Sequence, residues 1–333
     1  MTYWRPIPLT DPARPAGALP LAGGPIWFDR VERIERGCAS EIVPLSDVPP
    51  ATLDILSAPR APVCGLSMDR VRIMTILNVT PDSFSDGGRF LAPEAALAQA
   101  RAAETAGADL IDIGGESTRP GAAEVPLAEE IARTAPVIAA IRAGSAIPIS
   151  IDTRKAAVAE AALSAGAGMV NDVAAMLFDP AMAPLVAASA APVCLMHHIG
   201  TPETMQQDPR YDDVVLDVYD WLADRIAAAE RAGIPRSRII ADPGIGFGKT
   251  LQHNVSLLRR LSLYHGLGCA VLVGASRKRF IGTLSGAEPA GERLPGSLAV
   301  ALHAAAQGVQ ILRVHDTVET RQAMSLHEAL GGH

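Results

Sequence analysis

Cysteine is scarce in this chain. Its 333 residues include four, Cys38, Cys64, Cys194 and Cys269, scattered and without CxxC spacing. Neither a disulfide framework nor a cysteine-zinc centre is therefore expected. Long hydrophobic runs are missing too. No apolar stretch reaches the roughly 18–20 residues of a membrane helix. The start, Met1-Thr2-Tyr3-Trp4-Arg5-Pro6, has no apolar core of the kind a secretory signal needs. Positive charge is in deficit: Lys and Arg total 29 against 36 Asp and Glu, a net charge of −7. A nucleic-acid surface is not expected from that balance, although a local basic pocket is compatible with it. What is plentiful is apolar side chain, 49% of the residues, enough to fill a full core and to exclude wholesale disorder. The length allows one large domain or two modest ones. The expectation is a soluble, acidic, cytoplasmic α/β protein without nucleic-acid or membrane partners.

The composition changes near residue 70. Eleven of the 26 prolines precede that point, and no long helical period appears there. Residues 1–61 are expected to form an irregular extension, with one or two short strands around 27–34. Residues 62–69 suit a hairpin with Gly65 at its turn. Beyond Val71, short apolar runs alternate with Ala-rich stretches of helical period. Strands are expected at 72–79, 109–114, 147–152, 168–173, 192–197, 238–242, 270–275 and 310–314. Helices are expected at 93–106, 127–143, 155–165, 181–190, 211–232, 254–261, 296–306 and 316–329. Continuously apolar strands imply burial on both faces, as in a parallel sheet. Eight such units over about 250 residues match a (β/α)8 TIM barrel over 62–331, with a doubly wound open sheet as the competing topology.

Polar residues gather just after these strands, where a barrel builds its active site. Asn78 opens a loop rich in Pro, Asp, Ser and Gly, and offers a neutral oxygen suited to a hard cation such as Mg2+. Phe84 is an aromatic residue inside that polar loop. Asp112-Ile113-Gly114-Gly115-Glu116-Ser117-Thr118-Arg119-Pro120-Gly121 follows the second strand. Its glycines permit close backbone approach, and Arg119 suits a carboxylate or phosphate. The run from Asp242 to Thr250 imitates a nucleotide-binding loop, but Pro243 stands where a P-loop needs its first glycine. It reads instead as a glycine-rich loop placing Asp242 and Phe247 at a pocket mouth. Lys278 ends the seventh unit and can face a ligand carbonyl or ring nitrogen. Arg313 and His315 share one strand face and can hold an anion. His197-His198 has no third metal ligand at recognisable spacing, so a structural role is favoured. Asp152, Asn171 and Asp242 form an acid and amide set whose buried carboxylates need partners. A heterocycle with several N–H donors would supply them.

These strings resemble the dihydropteroate synthases: 76–88, 114–121, 242–249, 276–278 and 313–316 follow in that family's order and spacing. The likeness covers roughly 62–330. It implies condensation of 6-hydroxymethyl-7,8-dihydropterin diphosphate with 4-aminobenzoate to 7,8-dihydropteroate and pyrophosphate. It further implies that Asn78 binds Mg2+ and that Asp152, Asn171, Asp242 and Lys278 hydrogen-bond the pterin. Val173, Met196, Phe247 and Gly274 would shape its pocket. Arg313 and His315 would hold the diphosphate with Thr118 nearby. Phe84, Thr118, Arg119 and Pro120 would frame the aminobenzoate, and Asp86 would stabilise developing positive charge. A homodimer through barrel helices is implied as well. Arg279, where the family has a small residue, and His198-Ile199 depart from its pattern. Two rivals are a pterin-binding methyltransferase acting on a corrinoid, which would need no anion subsite, and an inactive binding subunit, which would show eroded loops.

Overall fold

In the computed structural model, which describes residues 1–79, 93–117, 124–200 and 204–331, the first segment departs from expectation. The one or two short strands expected around 27–34 are present, but residues 1–61 as a whole are more ordered than an irregular extension. Strands β1 (Thr2–Pro6), β4 (Arg30–Glu35) and β5 (Glu41–Pro44) form an antiparallel sheet in the order β1-β4-β5, and β2 (Leu19–Pro20) pairs with β3 (Trp27–Phe28). A short helix, α1 (Pro50–Ser57), follows. The prolines concealed this order. Pro6 and Pro44 close their strands, where a missing N–H removes no ladder bond, and Pro50 begins α1, where the N–H has no intrahelical partner. Leu21, Ile26, Phe28, Val31, Val43, Val48 and Leu56 give the unit a small core of its own.

The hairpin expected at 62–69 is present. Val63 bridges Leu66, with Cys64 and Gly65 at φ 51° and 79° in the turn. Beyond it lie β6 (Arg72–Asn78), β7 (Leu110–Gly114), β8 (Ile149–Asp152), β9 (Met169–Asp172), β10 (Val193–Met196), β11 (Ile239–Asp242), β12 (Ala270–Val273) and β13 (Ile311–Val314). Each pairs in parallel with the next, and β13 pairs with β6. That closure excludes the open doubly wound sheet and makes the molecule a (β/α)8 barrel.

The outer layer comprises α2 (Pro93–Thr105), α3 (Leu127–Gly144), α4 (Ala156–Ser164), α5 (Met182–Ala188), α6 (Val214–Arg231), α7 (Leu251–Arg259), α8 (Arg279–Ser285), α9 (Leu294–Ala306) and α10 (Thr317–Leu330). α7 starts three residues before its expected position because Thr250 caps it. The Thr250 hydroxyl accepts from His253 N–H, and the His253 ring reaches back to Thr250 N–H. A capping box normally uses Glu or Gln there, so the start signal was disguised. α8 was not expected, since seven residues are too few to show a helical period.

Strand alternation places the site. Met74, Leu110, Met169, Cys194, Ile240, Leu272 and Ile311 pack with Val63 and Met68 of the hairpin, so the hairpin plugs the barrel floor. Two residues further along the same strands or just past them, on the same face, stand Asp112, Asn171, Met196, Asp242, Gly274 and Arg313. The interior thus changes from apolar floor to polar mouth within one two-residue step.

The N-terminal unit is fastened to the barrel wall rather than to this mouth. Tyr3 and Ile34 join the main core. Tyr3 OH donates to Asp220 at 2.7 Å, and Arg36 pairs with Asp217 and Asp220 of α6 at 2.7 Å each. Ser262 Oγ donates to the Pro6 carbonyl at 2.9 Å, and Arg60 Nη2 to that of His265 at 2.9 Å.

Candidate active site

At the barrel mouth Arg313 Nε donates to Asp112 Oδ2 at 2.6 Å and Nη2 to Asp152 Oδ2 at 2.7 Å. Asn171 Nδ2 also donates to Asp112 Oδ2, at 3.0 Å. One guanidinium therefore ties together the ends of β7, β8 and β13. The other oxygens, Asp112 Oδ1 and Asp152 Oδ1, are buried without a hydrogen-bond partner. Leaving buried acceptors unpaired is costly, so both oxygens are poised for donors that a ligand brings. Burial pushes the Asp152 carboxyl up to about 7, against the pull of Arg313 and with the push of Asp112.

Asp242 forms a second acidic point. It is buried, and its Oδ1 accepts from Gly244 N–H at 2.7 Å. Burial raises its pKa, while that N–H and the nearby lysines oppose the rise. Gly244 has φ +66°, and a Cβ there would lie 1.9 Å from the His197 carbonyl oxygen; only glycine fits. Lys278 donates to the Ile245 carbonyl and lies 4.3 Å from the Phe247 ring centre, a cation–π contact. Burial lowers its pKa to about 8 against the attraction of Asp242. Val173 is half-buried just past Asn171, and Met196 is buried at the end of β10. Gly274 leaves room beside Arg313, whose Cβ lies 3.6 Å from where a side chain would begin.

Arg313 and His315 each have a protein partner. The guanidinium turns inward because two buried carboxylates are in reach, while His315 Nδ1 lies 3.1 Å from Ser276 Oγ. The strand has already ended at Met196, and the rings of His197 and His198 both pack edge-on against Trp221, with ring centres 4.8 and 5.8 Å away. Lys249 Nζ lies 2.8 Å from His197 Nδ1 and donates to the Phe247 carbonyl at 2.9 Å. Burial first and Lys249 second push His197 down to about 2, so the ring is neutral.

Asp112 and Lys249 are the site residues that sequence reasoning left without a role. Asp112 carried a signal, because it lies two residues after the floor residue Leu110. Lys249 was hidden inside the false nucleotide-binding loop. Phe84, Asp86, Thr118, Arg119 and Pro120 lie outside the described residues.

Among the described residues no group of three or more His, Cys, Asp and Glu side chains is arranged around a metal position. Asn78, at the end of β6, presents Oδ1 across Gly114 from Asp152. A Cβ on Gly114 would lie 3.8 Å from Asn78 Oδ1 and 3.7 Å from Asp152 Oδ2. The glycine thus leaves a space between two oxygens. One neutral protein oxygen beside a carboxylate oxygen is a donor set compatible with Mg2+, which keeps most of its waters and takes few protein ligands.

A family model described as pterin binding enzyme matches residues 74–315. The dihydropteroate synthase of Escherichia coli K12 is 48% identical over 265 residues, covering 80% of this chain and 93% of the relative. The solved structure of Xanthomonas albilineans dihydropteroate synthase with 4-aminobenzoic acid aligns with a TM-score of 0.76 and 49% identity, over 82% of this chain and 98% of that one. The Xanthomonas enzyme in complex with 7,8-dihydropteroate aligns at 0.74 and 46%, with the same coverage of both chains.

Proposed function

The chain belongs to the pterin-binding enzymes, and we infer from that membership that the polar barrel mouth is where it acts. It condenses 6-hydroxymethyl-7,8-dihydropterin diphosphate with 4-aminobenzoate, releasing 7,8-dihydropteroate and pyrophosphate, as the dihydropteroate synthases of folate biosynthesis do. The observation that carries the site assignment is the pair of partnerless oxygens on Asp112 and Asp152. A dihydropterin is a flat heterocycle with several N–H donors and fits that need.

In this reading Asp112, Asp152, Asn171 and Asp242 accept or share hydrogen bonds with the ring, and Lys278 faces its carbonyl or a ring nitrogen. Val173, Met196, Phe247 and Gly274 shape the slot. The bound pterin offers its own donors to Asp112 and Asp152, which frees Arg313 to swing toward the diphosphate beside His315 and Thr118. The carbon–oxygen bond to diphosphate breaks with its electron pair leaving on oxygen. The cation delocalises into the ring, and Asp86 stabilises it. The aminobenzoate nitrogen, framed by Phe84, Thr118, Arg119 and Pro120, bonds to the methylene carbon and then loses a proton. An arylamine attacks as the neutral base, so no strong general base is required. Arg313 and His315 act by charge on the leaving group. Asn78 would hold Mg2+, which supplies further positive charge to the diphosphate when bound.

Two coarser features extend this reading. Leu284, Val318, Leu326 and Leu330 are exposed on α8 and α10, a surface that supports a homodimer through barrel helices. The four cysteines are free thiols, which supports a reducing, cytoplasmic setting.

The test is pyrophosphate release by purified protein with dihydropterin diphosphate and Mg2+, with and without 4-aminobenzoate. Release that depends on aminobenzoate, matched by equal dihydropteroate, is the expected result. Pterin binding without turnover would overturn it.

A further inference from the structure

Past β11 the chain runs through Gly244-Ile245-Gly246-Phe247-Gly248, outside any helix or strand. Such backbone has no ladder to satisfy its carbonyls, so each needs a partner from elsewhere. Each has one. Phe247 N–H donates to the Gly244 carbonyl at 3.1 Å. Lys278 Nζ donates to that of Ile245. Gln206 Nε2 donates to that of Gly246 at 2.7 Å, and Tyr211 OH to that of Gly248 at 2.8 Å. The Phe247 carbonyl accepts from Lys249 Nζ at 2.9 Å. On the donor side, Gly246 N–H bonds Asn254 Oδ1 of α7 at 2.7 Å. The loop is thus fixed by side chains from several elements around it.

Lys249 differs from the other partners. It is 3% exposed, and its Nζ also meets His197 Nδ1 at 2.8 Å. His197 is itself a fixed post. Its N–H donates to the Asp242 carbonyl at 2.9 Å, and its ring packs on Trp221 of α6. A buried amine is a costly source of stability. Burial holds its pKa well below the ordinary value, against the attraction of Asp242. An unbranched apolar side chain would fill the same space without that desolvation. What the amine adds is a bond between two segments that both reach the barrel mouth. One end lies on the Phe247 carbonyl, and the other on the residue that follows Met196.

We propose that Lys249, acting through His197 and the Phe247 carbonyl, is a positioning residue for the pterin, fixing the Phe247 ring and the Asp242 carboxyl relative to Met196. This rests on the reading that Met196, Asp242 and Phe247 line the pterin slot. The role is indirect, because the amine is occupied by His197 and Phe247.

The test is fluorescence titration of the full chain with 6-hydroxymethylpterin, with steady-state kinetics in parallel. Lys249→Met is expected to weaken pterin binding and raise the dihydropterin diphosphate KM by about tenfold, while the aminobenzoate KM stays within about twofold. His197→Phe keeps a ring against Trp221 but removes Nδ1. It is expected to lose as much affinity, and it carries the test if Lys249→Met does not fold. His197→Asn places an amide oxygen near the Nδ1 position and is expected to bind pterin within about threefold of wild type. Lost packing would not give that rescue, since Asn fills less space than Phe. Lys249→Met combined with His197→Phe is expected to bind no more weakly than either alone, because both remove one bond. Unchanged pterin binding in folded Lys249→Met or His197→Phe, equal changes in both KM values, additive losses, or His197→Asn as weak as His197→Phe would overturn the proposal. Wild-type protein that does not bind 6-hydroxymethylpterin would instead overturn the reading of the slot beneath it.

Discussion

Replacing Arg313 by methionine removes one cation from two buried carboxylates while keeping an unbranched side chain in the space. Asp112 and Asp152 have side chains 0% and 9% exposed, and Arg313 itself is 22% exposed, so solvent screens the pair weakly. Breaking a buried ion pair from one side costs about 3–5 kcal/mol. At roughly 2–4 °C per kcal/mol for a domain of this order of size, that is a fall in Tm of about 6–20 °C. The loss depends on pH with a definite sign. The Asp152 carboxyl is raised from its ordinary 3.8 to about 7. The folded state therefore binds its proton more tightly than the unfolded chain, and this group's effect on stability is lost as pH rises from about 4 through 7. Without Arg313 the rise is larger. The variant's deficit will then be greatest at alkaline pH and will shrink toward about pH 5, where Asp152 takes up a proton. Thermal unfolding by circular dichroism at both pH values measures it. Adding Asp112→Asn to the methionine variant restores part of the loss, because it removes one of the stranded charges. An equal deficit at both pH values, or a variant as stable as wild type at alkaline pH, would refute the electrostatic argument.

Three further outcomes follow from the geometry. Pterin affinity weakens as pH falls below about 7, approaching tenfold per pH unit as Asp152 protonates; Asp152→Asn weakens binding and flattens that profile, which fluorescence titration from pH 5 to 8 reads directly. Gly244→Ala forces a β-carbon into the His197 carbonyl at a positive φ, costing about 1–3 kcal/mol or more. Its pterin affinity falls with it, and unchanged binding would show that the Asp242 loop tolerates displacement. Arg36→Ala breaks ion pairs whose arginine is 40% exposed. It lowers stability by less than about 1 kcal/mol in urea unfolding and leaves kcat/KM unchanged; a loss of activity would tie the N-terminal unit to the site.

Legibility in the sequence followed periodicity. Strands β6 to β13 are mostly buried on both faces, so they show as short, largely apolar runs, and the polar residues near their ends stand out. That is why Asp152, Asn171, Asp242 and Arg313 could be assigned to one mouth before any coordinates. The contact Arg313 makes was not legible. Side-chain direction along β13 is set by period two, but the choice between an anion and two carboxylates depends on Asp112 and Asp152, which are 201 and 161 residues away. Asp112 lacked an assignment because glycines and Arg119 in the same string drew the functional reading downstream. The buried contacts of Lys155 were invisible for a similar reason: a lysine at a helix start looks like a solvated cation, and its three acceptors, on Glu116, Val125 and Glu130, all come from the preceding βα unit, β7 with α3. The N-terminal unit escaped because strands of two to six residues punctuated by proline show no alternation long enough to count.

The attachment of that unit has a bearing on the order of events during synthesis. Tyr3 and Asp220 are separated by 217 residues, and Pro6 and Ser262 by 256. At roughly 5–20 residues per second, the first strand leaves the ribosome roughly 10–45 seconds before its partner on α6 exists. During that interval β1, β4 and β5 can pair only with one another, with Tyr3 and Ile34 uncovered. The nascent chain thus carries an exposed apolar sheet face until most of the barrel has been made, and the small core around Phe28 is the part able to settle first. A chain stalled before α6 would be the species most in need of a chaperone.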